Sequence, residues 1–110
     1  MHVTYAGKSM FTGDAAANAL VEYAAALAHA RDADSVRVRI VGPDGNEAEA
    51  HFLLDTGAPL MAESTNSNFP MPENAEVVEY MRRKTRQLMN PPPISPGGQG
   101  IPAFDDDWNL

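Results

Sequence analysis

With 110 residues the chain has room for one small hydrophobic core and not for two, so a single domain with at most one site is expected. Fifteen carboxylates against eight Lys and Arg leave a formal charge of −7; this argues against nucleic acid, whose phosphates need a concentrated positive face, and favours a neutral or basic protein partner. Cysteine is absent, which removes disulfides, thiolate metal sites and thiol nucleophiles. Neither a secretory start nor a membrane-length apolar run is visible, so the expected location is the cytoplasm, with no membrane association. Lysine occurs only at Lys8 and Lys84 while Ala and Arg abound, the usage of a high-GC bacterial genome or its phage.

In chain order, the alternation of His2-Val-Thr-Tyr5 predicts a short strand with Val3 and Tyr5 facing a core, interrupted at Gly7 and Lys8. A helix follows. Thr12-Gly-Asp14 offers capping oxygens, and the alanine-rich run behind it puts Ala16, Leu20, Tyr23, Ala24 and Leu27 on one stripe. Asp32-Ala-Asp34 ends that helix, and residues 35–41 alternate Val36, Val38 and Ile40 against Arg37 and Arg39, a half-buried strand.

The GPDGN segment, residues 42–46, fits a three-residue hairpin loop in which Gly45 takes the left-handed conformation. That loop sets a register: Ile40 opposite Ala48, Val38 opposite Ala50 and Val36 opposite Phe52 on one face, Arg39 opposite Glu49 and Arg37 opposite His51 on the other. A further short strand is expected near residues 60–65. Asn74 then caps a second helix over residues 75–89, with Val77, Tyr80, Met81, Lys84 and Leu88 on its apolar side. Its carboxylates come first and its basic residues last, matching the helix dipole, and Glu79 is placed to reach Arg83.

The expected fold is therefore α+β: a small β-α-β-β-(β)-α domain over residues 1–89, helices packed on one face of a short mixed sheet. Residues 90–110 form a Pro/Gly-rich linker and an extended, acidic, aromatic tail.

Residues 53–58 read LLDTGA. This segment resembles the catalytic loop of retropepsin-like aspartic proteases, in which two short chains each supply one Asp-Thr-Gly and the paired carboxylates share a proton to activate water. The resemblance implies Asp55 as the catalytic carboxylate, Thr56 as the hydroxyl bracing the loop and Gly57 as the residue that lets the backbone turn. It spans six residues. The chain departs from that family in its two helices and in lacking a glycine-rich flap after the motif. The local chemistry favours a turn at the end of a strand, with the Asp55 side chain bonding the backbone and Gly57 at positive φ.

His2, His29 and His51 have no metal-ligand spacing, and Ser64, Thr65 and Ser67 have no adjacent base, so no metal and no cofactor are expected. Arg37, Arg39, Val41, Glu49, His51 and Leu53 share the outward sheet face, a candidate surface for a second copy of the chain. In the tail, Phe104, Asp105, Asp106 and Asp107 followed by Trp108 and Leu110 are similar in kind to the C-terminal tip of bacterial single-stranded DNA-binding proteins. That likeness implies a mode of contact, an aromatic anchor with carboxylates reaching a basic-rimmed pocket on a partner protein.

The reading carried forward is a small non-enzymatic adaptor that docks through this tail. Its alternatives are a homodimeric aspartic protease using Asp55 and a structural subunit of a larger assembly such as a phage particle.

Overall fold

The computed structural model describes residues 1–57, 59–66 and 69–90. The chain runs β1 (His2–Tyr5), β2 (Lys8–Phe11), α1 (Asp14–Ala30), β3 (Asp34–Val41), β4 (Glu47–Leu54), β5 (Leu60–Glu63) and α2 (Ala75–Met89). The fold is α+β, with the five strands in the order β4-β3-β2-β1-β5. Every pairing is antiparallel, so the sheet is not the mixed one expected.

The sheet is two hairpins joined at one corner. In the first, β1 and β2 pair from His2↔Phe11 to Tyr5↔Lys8 across a two-residue turn in which Ala6 and Gly7 both take positive φ, 51° and 84°. Two left-handed residues twist a tight turn the way the strands twist. In the second, β3 and β4 pair along eight residues each. Gly42 N–H donates to Asn46 O, Gly45 N–H to Gly42 O, and Gly45 sits at φ 83°, so the three-residue loop forms as expected. The register also follows the turn chemistry, with Ile40↔Ala48, Val38↔Ala50, Val36↔Phe52, Arg39↔Glu49 and Arg37↔His51. Between the hairpins only Phe11↔Val41 are paired.

Both helices cover one face. The core is built from Val3 and Met10 of the first hairpin, Val36, Val38, Ile40, Phe52 and Leu54 of the second, and the buried sides of the helices. On α1 these are small residues around Leu20, Tyr23 and Leu27, and the alanines let α2 and the sheet approach closely. On α2, Met81 is buried and Val77, Tyr80, Lys84 and Leu88 are half-buried, as expected, and Val78, which the expected stripe left out, is buried as well. Full burial of a side chain such as Leu20 or Phe52 contributes about 1.5–3 kcal/mol.

The helix ends differ from expectation. Gly13 occupies the N-cap of α1 and no side chain caps it; Thr12, fully buried, donates instead to Arg39 O at 3.0 Å. At the other end Arg31 takes the left-handed conformation at φ 55°, its N–H bonding Ala28 O and the Asp32 N–H bonding Leu27 O. This pair of hydrogen bonds usually employs glycine at the left-handed position.

Candidate functional site

The most developed polar cluster joins α1, β3 and α2. The Tyr23 and Tyr80 hydroxyls both donate to Asp34 Oδ2 at 2.5 Å, while Asp34 Oδ1 accepts from the Ser35 N–H at 2.8 Å. The two rings meet edge to face with centroids 6.2 Å apart, and Lys84 contributes a positive charge nearby. Burial works to raise the Asp34 pKa, but the bonds from Tyr23, Tyr80 and Ser35, with the Lys84 charge, outweigh it and hold the carboxyl below its usual range. Burial, then the bond to Asp34, raises the Tyr23 phenol. For Tyr80 the bond to Asp34 leads and burial adds to it. Nothing in the spacing of residues 23, 34 and 80 signalled this cluster. Its carboxylate is engaged by three donors of its own chain, which makes it a tether between layers.

Asn74 forms a second tether that sequence reading mistook for a simple cap. Its side chain makes no capping bond to α2. Instead Oδ1 accepts from the Arg39 N–H at 2.8 Å and Nδ2 donates to Arg39 O at 2.9 Å, with a further bond to Thr12 Oγ1 at 3.3 Å. The amide thus stands in for a neighbouring strand beyond Val41, where β2 has already given way to α1.

Asp55 lies exposed just past β4, and its Oδ1 accepts the Gly57 N–H at 3.1 Å. This is the side-chain-to-backbone turn that Asp favours. Gly57 does not take positive φ, so the turn does not need glycine for its conformation. Among the described residues of this single chain the Thr56 hydroxyl makes no hydrogen bond. The α+β architecture is not the nearly all-β one of the retropepsin-like proteases.

The six residues of the expected outward face do lie together, on the side of the sheet opposite Val36, Val38 and Ile40, and the start of α2 borders that face at Arg37, Arg39 and Glu49. Arg37, Arg39, Glu49, His51 and Leu53 are exposed, Leu53 at 58%, and Val41 is half-buried. Arg39 reaches diagonally across to Glu47 at 3.4 Å, and His51 meets Glu49 along β4 itself at 3.7 Å. Such exposed pairs contribute little each. On the same face His2 meets Glu63 at 3.1 Å and packs against Phe11, and Met61 is half-exposed.

At the corner between the hairpins, Phe11, Val41, Pro43, Phe69, Pro70 and Met71 line an open, largely apolar groove of about 430 Å³. On α2, Arg82, Arg83 and Arg86 are exposed. Arg83 lies 5.7 Å over the Tyr80 ring and does not close the expected pair with Glu79.

The three histidines stay apart, and among the described residues no group of His, Asp and Glu could hold a metal ion. No described helix is long and apolar enough to cross a membrane. Phe104, Asp105, Asp106, Asp107, Trp108 and Leu110 lie outside the described residues. Compared with known proteins, the sequence matches no family model, no curated protein and no solved structure.

Proposed function

We propose that this chain is a small, non-enzymatic, cytoplasmic adaptor: its α+β body is a scaffold, and Phe104, Asp105, Asp106, Asp107, Trp108 and Leu110 form the docking element for a partner protein. The observation that carries the reading is how the distinctive carboxylates are used. Asp34 is held by two phenols and a backbone N–H, Asp44 by the Asn46 backbone and side chain, and Asp55 by the Gly57 N–H. Each closes the protein's own turns or layers, which leaves surfaces as the means of action.

The tail then offers what recognition peptides commonly combine, large aromatic side chains beside carboxylates. A matching partner presents an apolar pocket rimmed by Arg or Lys, because charge-assisted bonds to carboxylates are the stronger kind. Trp108 is the single tryptophan, so its emission reports on docking directly.

The test compares capture by the full chain with capture by a chain lacking residues 91–110, with a synthetic peptide of residues 104–110 as competitor. The adaptor reading expects tail-dependent capture that the peptide competes away and that Trp108→Ala abolishes. Identical capture by the shortened chain refutes the tail as the docking element.

A further inference from the structure

We propose that a second copy of this chain pairs edge to edge with β4, antiparallel and about a twofold axis through Ala50, so that the two sheets become one. The proposal does not depend on the tail.

Three observations lead to it. First, β4 is as long as any strand in the sheet, eight residues, and lies at its end. The hairpin loop fixes which backbone groups face outward. Gly42 and Asn46 form a bonded pair, and bonded pairs recur at every second position. Ala48, Ala50, Phe52 and Leu54 therefore bond β3, leaving the N–H and C=O of Glu47, Glu49, His51 and Leu53 pointing away from the sheet.

Second, the other places where a strand could add are blunted. β5 is four residues long and follows Pro59, and short edge strands are how sheets avoid pairing. The inner edge of β3 is closed at Arg39 by the Asn74 amide. No described backbone group bonds the outward row of β4.

Third, β4 is self-complementary in one register. With the axis at Ala50, Glu49 faces His51 of the other copy and Glu47 faces Leu53, on the outward face. On the helix side exposed Ala48 faces Phe52, small against large, and Ala50 faces itself. Arg39 stands opposite Glu49 within its own chain and its guanidinium reaches Glu47, so the imidazole of the other copy's His51 is what Glu49 gains on pairing. Moving the axis to Glu49 opposes two carboxylates, and moving it to His51 sets Glu49 against Leu53 and so takes away its imidazole partner. Like charges directly opposite are destabilising. The Ala50 register alone avoids both and supplies roughly eight inter-chain backbone bonds from the four outward residues of each copy. It also sets the two Asp55 residues about 33 Å apart along the strands, so this pair could not serve as an aspartic protease.

The absence of native cysteine makes the register testable. Opposed residues in a non-bonded antiparallel pair have Cα atoms about 4.5 Å apart, within disulfide reach, whereas the two residues at position 48 would be about 13 Å apart. The full-length chain is expected to sediment as a two-chain species at micromolar concentration. Ala50→Cys should oxidise to a linked dimer, and Ala48→Cys should not. His51→Pro removes an outward N–H without touching the β3 ladder, and should give a single-chain species with unchanged circular dichroism. Glu49→Lys should weaken association, and Glu49→Lys with His51→Glu should restore it.

Sedimentation of the unmodified chain as a single copy at all concentrations overturns the proposal. So does a two-chain species in which Ala50→Cys fails to link or Ala48→Cys links equally well, since the copies would then meet through the outward face or the corner groove. If His51→Pro does not fold, the cysteine pair decides. Tail-dependent capture by a single-chain protein would sink this pairing and leave the adaptor reading standing.

Discussion

Replacing Asp34 by alanine tests whether the tyrosine-carboxylate cluster holds the layers together. Tyr23 is 1% exposed, so without Asp34 its hydroxyl keeps a desolvated donor with the neighbouring Tyr80 hydroxyl as its one nearby substitute acceptor, at a cost of about 1–3 kcal/mol. Tyr80 is only half-buried and water can replace its lost acceptor, so its share is small. The Ser35 N–H, close to solvent, adds little. The total is about 2 kcal/mol, which for a domain of this size lowers Tm by roughly 10 °C. Urea unfolding followed by circular dichroism measures it. The decisive arm is Asp34→Ala with Tyr23→Phe, which deletes the orphaned donor along with its acceptor. If an unsatisfied phenol is the cause, the double variant should recover at least about half of the loss, because removing both partners costs less than removing one. A double variant as unstable as Asp34→Ala, or a single variant within about 0.5 kcal/mol of the parent, refutes the reasoning.

The same cluster sets a pH dependence. Because the folded Asp34 pKa lies below its unfolded value, its contribution is present above about pH 4 and is lost as pH falls through the folded value. The urea midpoint of the parent should therefore drop more between pH 5 and pH 2.5 than that of Asp34→Asn, and parallel curves would count against it. The raised Tyr23 phenol acts at the other end: its contribution is intact below the unfolded value of about 10 and declines as pH rises beyond it, so Tyr23→Phe should flatten the loss measured above pH 10. Asn74→Ala frees the Arg39 N–H and leaves the Arg39 carbonyl with the Thr12 hydroxyl alone, and should cost about 1–3 kcal/mol, Asn74→Asp less, since it keeps the acceptor for the N–H; equal losses for the two in urea titrations would contradict the two-point clip. Arg31→Gly relieves a left-handed side chain at φ 55° and should stabilise by about 0.5–1 kcal/mol, measurable as a raised urea midpoint.

What could be read from sequence was what two local signals stated together. The β3–β4 register was legible because the GPDGN turn and the Val36, Val38, Ile40 alternation demand the same pairing. The extent of α2 was legible for a similar reason, since Asn74 and the charge gradient bracket one amphipathic stripe. By contrast β2 was missed: KSMF buries only Met10, and its turn is made by Ala6 and Gly7 in place of the Asn-Gly or Asp-Gly that announces a hairpin. The end of α1 was placed on the aspartates when the chain turns at Arg31, a residue that pays for a conformation glycine takes freely. Both tethers were invisible because they join residues 11 to 62 positions apart, where spacing carries no signal.

Those two tethers close the inner edge of β3, which the first hairpin leaves unpaired beyond a single residue pair. Asn74, at the start of α2, grips Arg39 near the end of β3, while Tyr80, about two turns later, grips Asp34 at the start of β3. The first turns of α2 therefore run opposite in direction to β3 and are pinned to it at both ends. A single backbone pair, Phe11↔Val41, could not by itself hold the second hairpin against the first; the side chains of Asn74, Thr12 and Asp34 supply what the missing ladder would have given. That arrangement uses the inner side of β3 and leaves β4, anchored to the core by Phe52 and Leu54, unpaired along its outer edge among the described residues, with Ala48 and Ala50 only lightly covered on the helix side. Loosening the pins with Asn74→Ala and Tyr80→Phe should thus weaken self-association as well as stability, because the edge offered to a second copy is only as flat and fixed as β3 behind it.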